Sequence, residues 1–168
     1  MLLGSVAEEM FRLADCPVLT VGPHVPREVA AEVGFRNILF ATDFSPNSGK
    51  AAAYALSLAQ EHRARLTLLH AVEEASQSSQ ANAAILRTYF TRLLEEFVPA
   101  EAGLWCDPEY VVEIGEASDT ILKFAADRLA DMIVLGVRKS ATFPGHLPPS
   151  TSYRVVCAAH CPVLTVRG

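Results

Sequence analysis

Apolar positions in this chain follow two alternating periods. Residues 37–41 (NILFA), 65–72 (RLTLLHAV) and 132–135 (MIVL) are near-continuous apolar runs, the pattern of strands buried on both faces. Residues 106–114 and 162–166 read as two further strands. Pro108 interrupts the first of these near its start, where an edge position tolerates a missing N–H. Helical patterns lie between the runs. Ser45 followed by Pro46 predicts an N-cap and first turn of a helix running to about His62. Its small residues Ala51, Ala52, Ala55 and Ala59 suit close packing on a sheet. A polar patch at 76–80 leads into an amphipathic helix over 81–97, broken at 99–103. Gly115 ends the third strand, and helices follow over 117–129 and 150–159. The three prolines of 137–149 predict a loop. Strict alternation of strand and helix implies right-handed crossovers and an α/β fold, with an open parallel five-stranded sheet and helices on both faces. Ligands of such sheets sit at the carboxyl ends of the strands, here 42–45, 71–74, 115–117 and 136–150.

The chain begins with a copy of its own end. Residues 16–21 and 161–166 both read CPVLTV, and at the same offset Ser5 matches Ser150 and Ala14 matches Ala159. The tract is mixed in composition, so it reads as an internal repeat. A helix is predicted over 4–13, with Ser5 and Glu8 forming a capping box and Val6, Met10 and Leu13 on one face. A short strand follows over 17–21. Residues 1–23 are then the tail of a preceding repeat, 24–35 a linker with one helical turn at 28–32, and 36–168 a whole unit.

Composition narrows the function. Fourteen basic against 19 acidic residues give a net charge of −5, which argues against nucleic acid and against anionic membranes. No apolar run is long enough to span a bilayer. The first residues lack a basic n-region, and four cysteines are too few for a disulfide framework. A reduced, cytoplasmic protein is expected.

At the strand ends the sequence resembles the universal stress protein family. The resemblance rests on ATDFS (41–45), LLHAVE (68–73), VVEIGEASDTIL (111–122), ADMIVLG (130–136) and the helix followed by CPVLTV. It covers the whole unit in order, and the tail match covers residues 4–21 as well. It implies a flavodoxin-like sheet of order 3-2-1-4-5, dimeric or tandem, in a family where many members bind ATP and others do not. It also implies that the fifth strand is an edge that pairs antiparallel with another fifth strand. From this follows a homo-oligomer that uses the fifth-strand edge (Val163, Val166) and the tail strand (Val18, Val21). The tail strand is expected to cover such an edge in its own chain or a neighbour's.

The resemblance places a candidate ATP site on Ala41, Thr42, Asp43, Ala71, Gly136, Arg138, Lys139 and Ser150. The ATP-binding members carry a G-x2-G-x9-G-[ST] loop, whose glycines let backbone N–H groups approach phosphate. Gly136 and Ser150 keep its ends, but Lys139 and Pro149 stand at the second and third glycines. Proline has no N–H, so the site is degenerate, and weak or absent ATP binding is expected. Asp43 has two readings, a ligand-facing acid or a carboxylate at a helix start. His70 reads as a satisfied core histidine. Cys157, His160 and Cys161 share one turn, but their repeat counterparts are Arg12, Asp15 and Cys16, and structural zinc needs four ligands. No metal is expected. The P-loop, dinucleotide and G-x-S-x-G signatures are absent. Two functions of different class remain: a non-catalytic interaction module with a decayed nucleotide site, and an ATP-dependent switch or slow ATPase.

Overall fold

Period two along the strands decides which side of the sheet each residue feeds. Ile38 and Phe40 join Leu66, Leu68, Met132, Val134, Leu164 and Val166 in one buried cluster. Leu39 and Ala41 join Leu69, Ile133, Leu135 and Val163 in another, on the opposite face. The computed structural model describes residues 14–26, 34–73, 80–137 and 150–167. Its strands are β1 (Val18–Thr20), β2 (Asn37–Ala41), β3 (Arg65–Val72), β4 (Glu109–Ile114), β5 (Met132–Val137) and β6 (Val163–Arg167). Its helices are α1 (Ser48–His62), α2 (Gln80–Glu95), α3 (Ala117–Asp127) and α4 (Thr151–Ala158), with one 3₁₀ turn at Ala100–Leu104.

The six strands form one sheet of order β1-β6-β5-β2-β3-β4. β2 to β6 are parallel to their neighbours, so the repeat unit has the expected order 3-2-1-4-5. β1 is a sixth strand, antiparallel to β6. It covers the fifth-strand edge within the same chain, one of the two arrangements expected for the tail. α1 and α2 lie over the first cluster, where Ala51, Ala55 and Ala59 are fully buried. α3 and α4 cover the other face through Ile121, Ala125, Val155 and Val156.

Several element boundaries differ from the sequence reading. α1 begins at Ser48 with Asn47 as its cap residue and no side-chain cap bond, so Ser45 is not the N-cap. Pro46 instead sits second in a turn closed by the Ser48 N–H donating to the Ser45 carbonyl at 2.9 Å, where its fixed φ fits. β4 starts at Glu109, after Pro108, because proline donates nothing to a ladder. β5 continues through Val137, two residues past the expected end. The predicted helix over 4–13, the turn at 28–32 and almost all of the 137–149 loop lie outside the described residues.

Candidate functional site

The sheet order reverses between β2 and β5, and the crevice opens there. Its floor is apolar: Ala41, Leu69 and Leu135 are buried at the carboxyl ends of three adjacent strands. Gly136 closes one wall. A Cβ there would stand 3.2 Å from the Asn47 carbonyl oxygen and 3.3 Å from Ser48 Cα, so glycine lets α1 begin directly against β5. Ala117 and Ile121 of α3, with Thr151 and Ser152 of α4, form the opposite wall. The cavity measures about 350 Å³, at the small end of the range for small-molecule sites.

The rim is shaped by two consecutive side-chain turns. Thr42 Oγ1 accepts from the Phe44 N–H at 2.9 Å, and Asp43 Oδ1 accepts from the Ser45 N–H at 2.9 Å. The Ser48 hydroxyl also donates to Asp43 Oδ1, at 3.1 Å. These bonds hold Phe44 in the left-handed region, at φ 56°, an uncommon conformation for a bulky residue. Held there, its ring lies 4.6 Å from that of His70 and stacks on those of Phe90 and Phe97. Asp43 is therefore a carboxylate beside a helix start that also lines the crevice.

His70 is half-buried and lines the crevice. Its Nδ1 lies 2.8 Å from the Thr42 carbonyl oxygen, and its ring is 4.3 Å from that of Phe90. Burial lowers its pKa below the ordinary 6.5; the bond to the Thr42 carbonyl and the nearby Asp43 charge oppose this. A neutral ring donating through Nδ1 satisfies this arrangement. The residue is satisfied, as its apolar strand context predicts, but it is also part of the site.

Across the crevice, Glu116 caps α3. Its Oε2 accepts from the Ser118 hydroxyl at 2.7 Å and from the Asp119 N–H at 2.9 Å. The Ser118 bond, more than any other contact, lowers the Glu116 pKa. Arg154 of α4 then bridges Glu116 and Asp119, at 3.0 and 3.1 Å, tying the two helices of this wall together.

Five predicted site residues, Ala41, Thr42, Asp43, Ala71 and Gly136, converge on the one crevice. Ser150 does not line it. Its hydroxyl accepts from the Tyr153 N–H at 3.3 Å and caps α4. Arg138 and Lys139 lie outside the described residues. Glu73 lies in the 71–74 segment that the carboxyl-end rule reaches, whereas Ser48, Thr151 and Ser152, at or near the helix starts after β2 and β5, line the crevice without a sequence signal of their own. Cys157, His160 and Cys161 do not gather into a site. Cys161 is buried, with its thiol pushed up to about 12 by burial, while the ring of His160 lies 5.8 Å from that of His24. Among the described residues no three His, Cys, Asp or Glu side chains could hold a metal ion. Nor is any described helix long and apolar enough to cross a membrane.

Sheet order, helices on both faces and a crevice at the switch point define a flavodoxin-like α/β protein. Comparison with known proteins narrows the class. The sequence model of the universal stress protein family matches residues 34–167, and the chain belongs to that family. A universal stress protein of Thermus aquaticus is 35% identical over 139 residues, covering 79% of this chain and 99% of that protein. A universal stress protein solved in complex with cAMP superposes with a TM-score of 0.67 at 24% identity, covering 80% of this chain and 98% of that one. One from Archaeoglobus fulgidus DSM 4304 reaches a TM-score of 0.72 at 23% identity. That match covers 98% of this chain and 54% of the other.

Proposed function

We propose that the chain is a non-catalytic regulatory module of stress responses. Its crevice takes the nucleoside part of an adenine nucleotide and gains little from the phosphates. One observation carries this reading. The residues expected around base and ribose, Asp43 and Ala71 among them, share the crevice, whereas the Ser150 hydroxyl expected on phosphate is engaged in capping α4. Lys139 and Pro149 in place of loop glycines point the same way, since each removes a close backbone approach to phosphate. The neighbour solved with cAMP supports an adenine ligand through likeness of fold.

Calorimetry with adenosine, AMP and magnesium-ATP tests the proposal. Weak binding is expected, with the three ligands within a few-fold of one another. ATP binding tighter than AMP by more than about tenfold, some 1.4 kcal/mol, overturns it in favour of an ATP-dependent switch. So does phosphate release on prolonged incubation. Lys139→Gly combined with Pro149→Gly should strengthen ATP binding and leave adenosine unchanged.

A further inference from the structure

β4 joins β3 further along its length than β2 does. Asn37 of β2 pairs with Arg65 of β3, whereas Glu109, the first residue of β4, pairs with Thr67. Arg65 and Leu66 therefore have a strand on one side only. Pro108 stops the β4 ladder there. A cavity of about 370 Å³ opens in the gap, between residues 105–107, the amino ends of β2 and β3, and the ends of α1 and α3. It lies at the end of the sheet opposite the crevice.

The charge lining this cavity departs from that of the chain. Arg63, Arg65 and Arg128 stand against Asp107 and Glu109, an excess of positive charge in a protein of net charge −5. Arg128 is engaged, since its guanidinium donates to the two Glu109 carboxylate oxygens at 3.0 and 3.3 Å. Arg63 and Arg65 make no side-chain hydrogen bond or ion pair with a described residue. Arg63 also ends α1 in the left-handed conformation, at φ 52° and ψ 40°, where glycine is the usual residue. The negative end of α1 accounts for a cation at Arg63, but not for Arg65 on the strand beside the same cavity. The remaining walls are largely apolar: Leu66 is buried, and Trp105 and Phe124 are half-buried.

We propose that this cavity binds a small monocarboxylate with an apolar body. The guanidiniums of Arg63 and Arg65 hold the carboxylate, and the body lies against Trp105. The flat fork of a guanidinium matches a carboxylate. Asp107 in the same lining disfavours a dianion such as phosphate, and the apolar walls favour a ligand with carbon to bury. The site is separate from the crevice and shares no lining residue with it.

The test uses the whole chain, and Trp105, its one tryptophan, reports from inside the site. Phenylacetate is titrated against the protein, with phenylacetamide as its neutral match and inorganic phosphate as an anion without a body. Fluorescence and calorimetry read the binding. Phenylacetate should bind saturably with Kd below about 1 mM, and the amide and phosphate at least about tenfold more weakly. Arg63→Gly with Arg65→Gln should weaken phenylacetate about tenfold or more, by loss of charged hydrogen bonds. Glycine suits the backbone at position 63, so this variant should keep the parent's far-UV circular dichroism and its affinity for adenosine. Asp107→Asn, which removes a like charge, should tighten phenylacetate. The proposal is overturned if calorimetry detects no phenylacetate binding up to about 10 mM, or if the amide or phosphate binds as well. It is also overturned if the folded double variant keeps the parent's affinity, or if adenosine displaces phenylacetate, which would place the anion in the crevice.

Discussion

Leu19 lies directly opposite Leu164, and each is the other's counterpart in the CPVLTV repeat. The two copies nonetheless have different surroundings. Leu164 is 8% exposed and Leu19 48%, because β6 has a strand on each side and β1 stands at the sheet edge.

That difference sets unequal consequences for equivalent threonines. Thr165 is 1% exposed and its hydroxyl donates to the Val18 carbonyl at 3.2 Å. Thr165→Val should lower stability by about 1 kcal/mol, the net worth of one buried bond. Thr20→Val, at the equivalent half-buried edge position, should change it by less than about 0.5 kcal/mol. Urea midpoints of the two variants check the contrast.

The cysteines of the repeat should differ in the same way. Cys16 is exposed and Cys161 buried, with the Cys161 thiol raised to about 12 chiefly by burial. A thiol reagent at mildly alkaline pH should label Cys16 quickly and Cys161 only on unfolding, since the thiolate is the reactive form. Peptide mapping of the labelled chain reads the order, and early labelling of Cys161 would show that its site is open.

Stability should fall on the acid side through His70. Its pKa is lowered in the fold, first by burial, so the unfolded chain takes up the proton first. The stability tied to the neutral ring is complete above the ordinary value of 6.5 and declines as pH falls below it. His70→Gln cannot titrate and should flatten the slope of the unfolding midpoint between about pH 7 and pH 5. An unchanged slope would assign the acid sensitivity to other groups.

Gly136 should be intolerant of a side chain. Backbone atoms of Asn47 and Ser48 stand 3.2 to 3.3 Å from where a Cβ would be, and backbone gives way less readily than a flexible side chain. Gly136→Val is expected to cost about 1–3 kcal/mol, as overpacking does, and to narrow the crevice. Thermal unfolding measures the first effect and adenosine calorimetry the second.

The parallel core was legible in the sequence because its code is local. Continuous apolar runs and their period of two state which residues are buried and on which face, and the order of strand and helix limits the crossovers. The carboxyl-end rule reached the segments that line the crevice, and the family resemblance named Asp43, Ala71 and Gly136 within them. Other features depended on contacts between distant segments. Ser45 has the chemistry of an N-cap, yet the Asp43 carboxylate and the left-handed Phe44 draw it into a turn and move the helix start to Ser48. His70 reads the same as any polar residue in an apolar strand. Only the rings of Phe44 and Phe90 and the wall of the crevice show that it borders the site. The repeat makes the division plain. The sequence alone determined that CPVLTV is a strand, twice, because strand propensity resides in the residues themselves. Whether that strand is interior or edge was decided only by tertiary structure. Burial depends on what packs on each side, and six identical residues carry no record of their neighbours.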